Sequence, residues 1–185
     1  MKVLVTGGTI ESVFPLSRFI RGSFNPRLQG ANAGIGLAMT KQLVRDHGCQ
    51  VYLGSRNAER GAAAVDLVKK ASSAGGRGSV ELLQIDVSSD ESVKKAAGEL
   101  QERLGEDGRL DAIVNNAGTG FRLGLHLFID GFPTIISYND PLSSNYSHNA
   151  SPAEILDTNA RGPRRVVDAF MPMLKKDGRI VNVCR

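Results

Sequence analysis

The amino-acid sequence predicts an α/β fold in which a parallel sheet carries helices on both faces. Short apolar runs typical of strands alternate along most of the chain with longer segments whose apolar residues recur every three or four positions. Connections from strand to strand through a helix are right-handed and make the strands parallel, which places helices on both faces. With 185 residues, 41% of them hydrophobic, the chain is long enough to bury the core of one such domain.

Five strands and four helices follow from this alternation. The strands are predicted at residues 3–5, 50–53, 80–85, 110–114 and 179–183, and the helices at residues 34–47, 57–73, 89–104 and 151–176. Ser89, followed by Ser92, is typical of an N-cap at the start of the third helix. Apolar residues then repeat at helical spacing, namely Val93, Ala96, Ala97, Leu100 and Leu104. The fourth helix has a set of residues on or near one face, namely Ile155, Asn159, Gly162, Val166, Phe170 and Leu174.

Two segments interrupt the alternation. Residues 8–29 contain Pro15 and Pro26, and residues 127–149 have no Lys or Arg in a chain that is 23% charged. Loops of this length are uncommon inside a compact domain, so the segments are either functional lids or insertions. Gly7 and Gly30 can each serve as the glycine after the first strand. We therefore expect one domain over residues 1–185 with insertions at about 8–29 and 127–149, and hypothesise that these are retained introns or gene-model errors.

Composition argues against several classes of protein. Cys49 and Cys184 lack the CxxC spacing, so neither a disulfide framework nor a zinc site is predicted, and the histidines have no partner at i, i+4. No run approaches the ~18 apolar residues of a membrane span, and the basic residues are scattered although the pI is about 9.3. We expect no metal, no membrane partner, no nucleic-acid partner and a cytoplasmic location.

A glycine-rich loop opens the first long helix. It reads Gly-Ala-Asn-Ala-Gly-Ile-Gly and places glycines at positions 30, 34 and 36. Glycines at such spacing allow a tight turn and close approach of the backbone to a diphosphate, which the N-terminus of the helix then binds. The pattern alone is a weak signal, and an ordinary flexible turn is the alternative.

Arg56 follows the second strand at the position where dinucleotide-binding folds contact the adenosine ribose. An acidic residue there suits a ribose 2′-hydroxyl, whereas Arg suits a 2′-phosphate. The sequence has no Asp or Glu between Cys49 and Ala58. It therefore predicts a preference for NADP(H) over NAD(H), with Ser55 and Arg56 at the phosphate, unless Arg56 is only a solvated loop charge.

These residues resemble the short-chain dehydrogenase/reductase family, in particular its NADPH-dependent carbonyl reductases. Thr6-Gly7 with residues 31–36 resembles the family's Thr-Gly-x-x-x-Gly-x-Gly loop, and Asn115-Asn116-Ala117-Gly118 resembles its Asn-Asn-Ala-Gly signature. The resemblance implies a Rossmann-like doubly wound sheet, a nicotinamide cofactor and a small carbonyl substrate. It implies cofactor binding by Thr6, Gly7, Gly30, Asn32, Gly34, Ile35, Gly36, Ser55, Arg56, Asp86, Val87, Asn116, Ala117 and Gly118. Asn159 corresponds to the family's proton-relay asparagine.

The catalytic residues of that family have no counterpart in this sequence. The family uses a Tyr, a Lys four residues later and a Ser, because a phenol with a pKa of about 10 needs a nearby cation to act near neutral pH. None of the tyrosines, Tyr52, Tyr138 and Tyr146, is followed by such a Lys, and Cys184 and Arg185 stand where the Ser would come. We therefore expect a sheet truncated after the fifth strand and an inactive chain. The alternative is a non-catalytic NAD(P)-binding module or an unstable fragment of a mis-spliced gene.

Overall fold

The structure, a computed structural model, describes residues 1–7, 35–72, 77–106, 108–119, 126–129, 132–135 and 150–183. Its strands are β1 (Lys2–Thr6), β2 (Gln50–Ser55), β3 (Ser79–Gln84), β4 (Leu110–Asn115), β5 (His126–Ile129), β6 (Phe132–Ile135) and β7 (Leu174–Asn182). Its helices are α1 (Ile35–Arg45), α2 (Ala58–Ser72), α3 (Asp90–Leu104), α4 (Pro152–Leu156) and α5 (Gly162–Phe170). A π-helical segment, Asp157–Arg161, joins α4 to α5, and a 3₁₀ turn, Met171–Met173, follows α5.

The main sheet has five parallel strands in the order β3-β2-β1-β4-β7. The chain runs outward from β1 to β3 and then returns to the other side of β1 with β4. In a sheet of this kind the reversal of direction opens a crevice at the carboxyl ends of the two central strands, where ligands bind. The predicted α/β fold is confirmed, and the crevice lies between β1 and β4.

Apolar side chains cover both faces of this sheet. Within β1, Val3 and Val5 point to the face covered by α1 and α2, while Leu4 points to the face covered by α3 and α5. All three are at most 1% exposed. Such burial on both sides explains why β1 is a continuous apolar run rather than an alternating one.

The predicted start of the third helix is also confirmed. The Ser89 hydroxyl accepts a hydrogen bond from the backbone N–H of Ser92 at 3.2 Å, which makes Ser89 the N-cap of α3. The helix ends before Gly105, whose φ of +73° lies in the left-handed region that favours glycine.

The prediction of one helix over residues 151–176 is wrong at its C-terminal end. Helix α5 ends at Phe170, and β7 begins at Leu174. Pro172 explains the difference, because proline has no N–H to donate and its ring clashes with the carbonyl four residues earlier. The chain tightens into the 3₁₀ turn at Pro172 and then leaves the helical path. Apolar residues continue at helical spacing to Leu174, whereas the helix ends at Phe170, so the spacing predicts the wrong C-terminal boundary.

Strands β5 and β6 pair with each other in an antiparallel hairpin outside the main sheet. This hairpin falls almost wholly within residues 127–149, the second predicted insertion. Residues 130–131 and 136–149 lie outside the described part of the chain, as do residues 8–34, which contain the first predicted insertion.

Candidate functional site

Thr6, the last residue of β1, joins the carboxyl ends of the two central strands. Its hydroxyl donates to the carbonyl of Val114 at 3.3 Å and accepts from the backbone N–H groups of Asn116 at 3.2 Å and Ala117 at 3.3 Å. A threonine hydroxyl has one donor and two acceptor positions, so all of them are used. The side chain is buried, which means that the turn after β4 is positioned by Thr6 rather than by solvent.

Asn116 and Gly7 bring the same two turns into direct contact. The Asn116 Nδ2 donates to the carbonyl oxygens of Thr6 and Gly7, each at 3.2 Å. Gly7 has a φ of +68°, and a Cβ atom there would lie 2.6 Å from the Cα of Ala117. Only glycine fits both the conformation and the space. The structure thus brings together the predicted site residues of β1 and of the turn that runs through Gly118.

The N-terminus of α1 lies at the same edge of the sheet. Helix α1 ends at Arg45, shortly before the start of β2 at the opposite edge, and its 11 residues extend about 16 Å. Ile35 and Gly36 therefore lie at the carboxyl edge, and the N–H groups of a first helical turn, which have no partner within the helix, suit an anion. Gly36 is buried, and its carbonyl accepts from the Thr40 hydroxyl at 2.8 Å. Gly30, Asn32 and Gly34, the other predicted residues of this loop, lie outside the described residues.

The end of β2 presents the Arg56 side chain to solvent. The Ser55 hydroxyl, by contrast, is buried and donates to the carbonyl of Asn57 at 2.7 Å within its own turn. Asn57 Oδ1 accepts the backbone N–H of Arg60 at 2.8 Å, so Asn57 caps α2. In the part of the chain that the structure describes, no carboxylate pairs with Arg56, and its guanidinium remains accessible.

Sequence reasoning missed Arg60, an exposed residue in the first turn of α2 and close in the chain to Arg56. The signal that could have identified it was Asn57, because an Asn directly before a helical pattern marks an N-cap and hence the first turn of a helix. The structure therefore places a second exposed arginine four positions after Arg56, in the first turn of α2.

Asp86 and Val87 follow β3 at the same edge of the sheet. The Asp86 carboxylate accepts from the backbone N–H of Ser88 at 3.0 Å and from its hydroxyl at 2.6 Å, while the backbone N–H of Asp86 donates to the hydroxyl of Ser92 at 2.9 Å. Asp86 thus shapes its own turn. The neighbouring Val87 is buried against Gly162, at which a Cβ atom would lie 3.0 Å from the valine Cγ2.

Asn159 binds the loop that continues from Gly118. Its Nδ2 donates to the carbonyl of Thr119 at 2.7 Å, and its Oδ1 accepts the N–H of Thr119 at 2.8 Å. The side-chain amide of Asn159 thus makes the same two hydrogen bonds to the backbone of Thr119 that a neighbouring β-strand would make. Asn159 lies in the π-helical segment, a rare form of helix that is frequent at functional sites. The structure therefore places Asn159 beside the turn after β4, where its side chain positions that loop.

An Arg165–Asp157 ion pair lies beside Asn159. The guanidinium of Arg165 donates to the Asp157 carboxylate at 2.8 Å, and this hydrogen bond holds the pKa of Asp157 below its ordinary value against a smaller opposing effect of burial. The carboxylate therefore stays charged to lower pH than a free aspartate.

Tyr52 does not lie at this edge of the sheet. It is buried within β2, where burial raises the pKa of its phenol and its oxygen accepts a hydrogen bond from Gln50 Nε2 at 3.0 Å. Tyr138, Tyr146, Cys184 and Arg185 lie outside the described residues. Over the ranges that the structure describes, no group of His, Cys, Asp and Glu could hold a metal ion, and no helix is long and apolar enough to cross a membrane.

Comparison with known proteins identifies the family. The family model described as short chain dehydrogenase matches residues 28–185. Carbonyl reductase (NADPH) 1 from Mus musculus is 34% identical over 155 residues, which are 83% of this chain and 46% of that protein. (+)-Neomenthol dehydrogenase from Arabidopsis thaliana is 33% identical over 164 residues, which are 83% of this chain and 51% of that protein. The chain spans about half the length of these relatives.

Solved structures share the fold at lower identity. A short-chain dehydrogenase/reductase from Burkholderia xenovorans superposes with a TM-score of 0.61 at 22% identity, covering 98% of this chain and 52% of that one. An alcohol dehydrogenase from Thermococcus sibiricus, complexed with 5-hydroxy-NADP, superposes with a TM-score of 0.59 at 23% identity, covering 98% of this chain and 56% of that one. With the family match over most of its length, this chain belongs to the short-chain dehydrogenase family of oxidoreductases.

Proposed function

We propose that this chain is the NADP(H)-binding part of a carbonyl reductase-type enzyme. In the complete reaction a hydride would pass from NADPH to the carbon of a small carbonyl substrate and a proton would reach its oxygen. The observation that carries the proposal is the joined turns after β1 and β4, held by Thr6 and Asn116 at the crevice of the sheet. The similarity to carbonyl reductase (NADPH) 1 and to neomenthol dehydrogenase supports the reaction class.

The residues at the carboxyl edge fit a dinucleotide. At Gly7, directly after β1, the backbone passes so close to Ala117 that no side chain would fit at position 7. A nicotinamide cofactor supplies the hydride when it is bound there. The glycine loop and the first turn of α1 would bind its diphosphate through Gly30, Asn32, Gly34, Ile35 and Gly36. The adenine would contact Asp86 and Val87, and the ribose beside the nicotinamide would contact Asn116, Ala117 and Gly118.

The preference for NADP(H) rests on the turn after β2. Arg56 is exposed and has no carboxylate partner among the described residues, and Arg60 follows in the first turn of α2. A ribose 2′-phosphate accepts charge-assisted hydrogen bonds from guanidinium groups. Residues 50–57 contain no acid that would repel it, and the nearest acid is Glu59, beside Arg60 in the first turn of α2. Ser55 would join them only after its hydroxyl rotated away from the Asn57 carbonyl.

The 185 residues are proposed to bind the cofactor without reducing a carbonyl by themselves. They contain no Tyr followed four residues later by Lys, and Tyr52 is buried away from the crevice. Asn159, the proton-relay counterpart, uses its amide to hold Thr119. These observations also favour the second candidate function, a non-catalytic NAD(P)-binding module.

Thermal unfolding and turnover assays on the purified chain test both candidates. NADPH should raise Tm, because a ligand that binds only the folded state stabilises it by RT ln(1 + [L]/Kd). NADH at the same concentration should raise it less. Arg56→Ser should remove this difference, whereas Lys95→Ser, which deletes an exposed charge on α3, should preserve it. Absence of any rise would refute cofactor binding, and steady NADPH oxidation with quinones or aldehydes would refute the proposed inactivity.

We also propose that residues 1–185 form a single domain with insertions at about 8–29 and 127–149. Strand β1 ends at Thr6 and α1 begins at Ile35, as expected if a long segment separates two neighbouring elements. Among the strands that the structure describes, β5 and β6 pair only with each other. Sequencing the transcript tests this, since abundant messages that encode both segments would contradict an origin as retained introns. A cytoplasmic location is supported by Cys49, a buried free thiol.

A further inference from the structure

Arg165 connects its own helical segment to the turn after β3, which lies more than 70 positions earlier in the sequence. Its Nε donates to Asp90 at 2.8 Å, at the start of α3, and its Nη2 donates to the Asp157 carboxylate at 2.8 Å, in the π-helical segment. Its Nη1 reaches the carbonyl oxygens of Asp157 at 3.3 Å and Val87 at 3.4 Å. The side chain is only 18% exposed. A planar guanidinium can serve several acceptors at once, and the ammonium of lysine has no such fork.

These contacts hold the turn after β3 against the helix that carries Asn159. Val87 belongs to that turn, Asp90 follows it, and Asp157 begins the segment that contains Asn159. Gly162 supports the same contact from the other side, because a Cβ atom there would lie 3.0 Å from Val87 Cγ2 and 3.3 Å from the Val87 carbonyl oxygen. The absence of a side chain at position 162 lets the helix backbone reach the turn, and Arg165 holds it there.

We infer that Arg165 is a positioning residue that couples the two ends of the candidate site. It holds the turn of Asp86 and Val87 at one end, and it anchors the segment whose Asn159 holds Thr119 at the other. Among the proposed cofactor residues Arg165 contacts only Val87, through its backbone carbonyl, so it acts by holding that turn in place. The identity of the ligand in this inference rests on the proposed function. The coupling between the turn after β3 and the π-helical segment is a property of the chain and does not depend on any ligand.

A neighbouring arginine provides a matched control. Arg164 lies next in the chain on α5, has a side chain that is 78% exposed and pairs with Asp168 within its own helix at 2.7 Å. Arg165→Met keeps an unbranched apolar stem but removes the guanidinium and with it every hydrogen bond that this side chain makes to the turn. Arg164→Met makes the same chemical change and leaves those bonds in place. Asp90→Asn weakens the link to α3 alone, and because Asp90 is 71% exposed this variant should fold normally.

The first experiment measures hydrogen exchange without ligand. In Arg165→Met the amides of residues 86–93 should exchange about tenfold faster, the change in a local opening equilibrium expected when about 1.4 kcal/mol is lost. The π-helical segment should lose protection with them. Asp90→Asn should show a smaller increase confined to residues 86–93, and Arg164→Met should match the wild type. Equal exchange in Arg165→Met and Arg164→Met would overturn the inference.

The second experiment uses adenosine 2′,5′-bisphosphate, which carries the adenine and the 2′-phosphate without the nicotinamide. Measured well below the unfolding temperature of each variant, its Kd should rise about tenfold in Arg165→Met and less in Arg165→Lys, which retains the charge. An unchanged Kd in Arg165→Met, or an equal rise in Arg164→Met, would overturn the role toward the nucleotide. If the wild-type chain binds no nucleotide, the proposed function fails, and the exchange experiment still decides the coupling.

Discussion

Strands β1 and β7 belong to one parallel sheet, yet they have opposite surroundings. Strand β1 pairs with β2 and β4 and is buried, whereas β7 has β4 as its one neighbour among the described strands, and its Ile180 and Val181 are 36% and 45% exposed. The turns that form the candidate site follow β1 and β4, the strands covered on both faces. Because β1 and β4 are packed on both faces, they hold the turns of the site more rigidly than the outer strand β7 could.

A pair of isoleucines in register tests this difference with the largest expected effect. Ile113 in β4 is fully buried and pairs with Ile180 in β7. Ile113→Ala should lower the free energy of unfolding by about 4 kcal/mol, since it leaves a cavity in a packed core. Ile180→Ala should lower it by about 1 kcal/mol or less, because that side chain already contacts water. Urea unfolding measures both, and equal losses would show that β7 is as well packed as β4.

Alanine substitutions at two glycines compare the close contact between the turns after β1 and β4 with an open surface of α3. Gly7→Ala should cost about 3 kcal/mol and abolish nucleotide binding, because the new Cβ would collide with the Ala117 backbone at an unfavourable φ. Gly98→Ala on α3 has no atom within 4 Å of the new Cβ and should stabilise the protein by about 0.5–1 kcal/mol. Urea unfolding of the two variants measures the contrast. A stable, ligand-binding Gly7→Ala variant would refute the close approach.

Thr6 tests the hydrogen bonds that join the central strands. Thr6→Val preserves the shape of the side chain but leaves the amides of Asn116 and Ala117 without their acceptor, at a cost of about 1–3 kcal/mol. Thr6→Ser keeps the hydroxyl and should lose less. Thermal unfolding of the two variants separates the contribution of the oxygen from that of the methyl group. If serine were as damaging as valine, packing rather than hydrogen bonding would hold the turn.

Acid unfolding gives the smallest effect and concerns the π-helical segment. Hydrogen bonding from Arg165 lowers the pKa of Asp157 in the folded state below its unfolded value of about 3.9. The resulting stabilisation is therefore complete above the unfolded pKa and is lost as the pH falls through the lower folded value. Asp157→Asn should flatten the stability curve in this acidic range. Asp66→Asn, which removes an exposed carboxylate on α2, should leave the curve unchanged. If both variants flattened the curve equally, the effect would come from the change in net charge and not from the Arg165–Asp157 pair.

The fold was predictable because its signals are local. Apolar spacing and the cap at Ser89 follow from residues within a few positions of each other, and these predictions are confirmed. Apolar periodicity alone predicts the wrong end for the fourth helix, because Pro172 has no N–H to donate and stops the helix earlier. The residue types of the site were predictable from motifs, but the partner of each side chain was not.

The sequence by itself determined the α/β class and the alternation of the five main-sheet strands with helices, since strand–helix alternation dictates parallel pairing, but it did not predict the β5–β6 hairpin. Only the tertiary structure decided that Asn159 uses its amide on Thr119, that Gly7 lies against Ala117 and that Arg165 reaches Val87. These contacts join residues that are 40 to 110 positions apart. Contacts over such distances depend on how helices and strands pack, and no local pattern in the sequence encodes them.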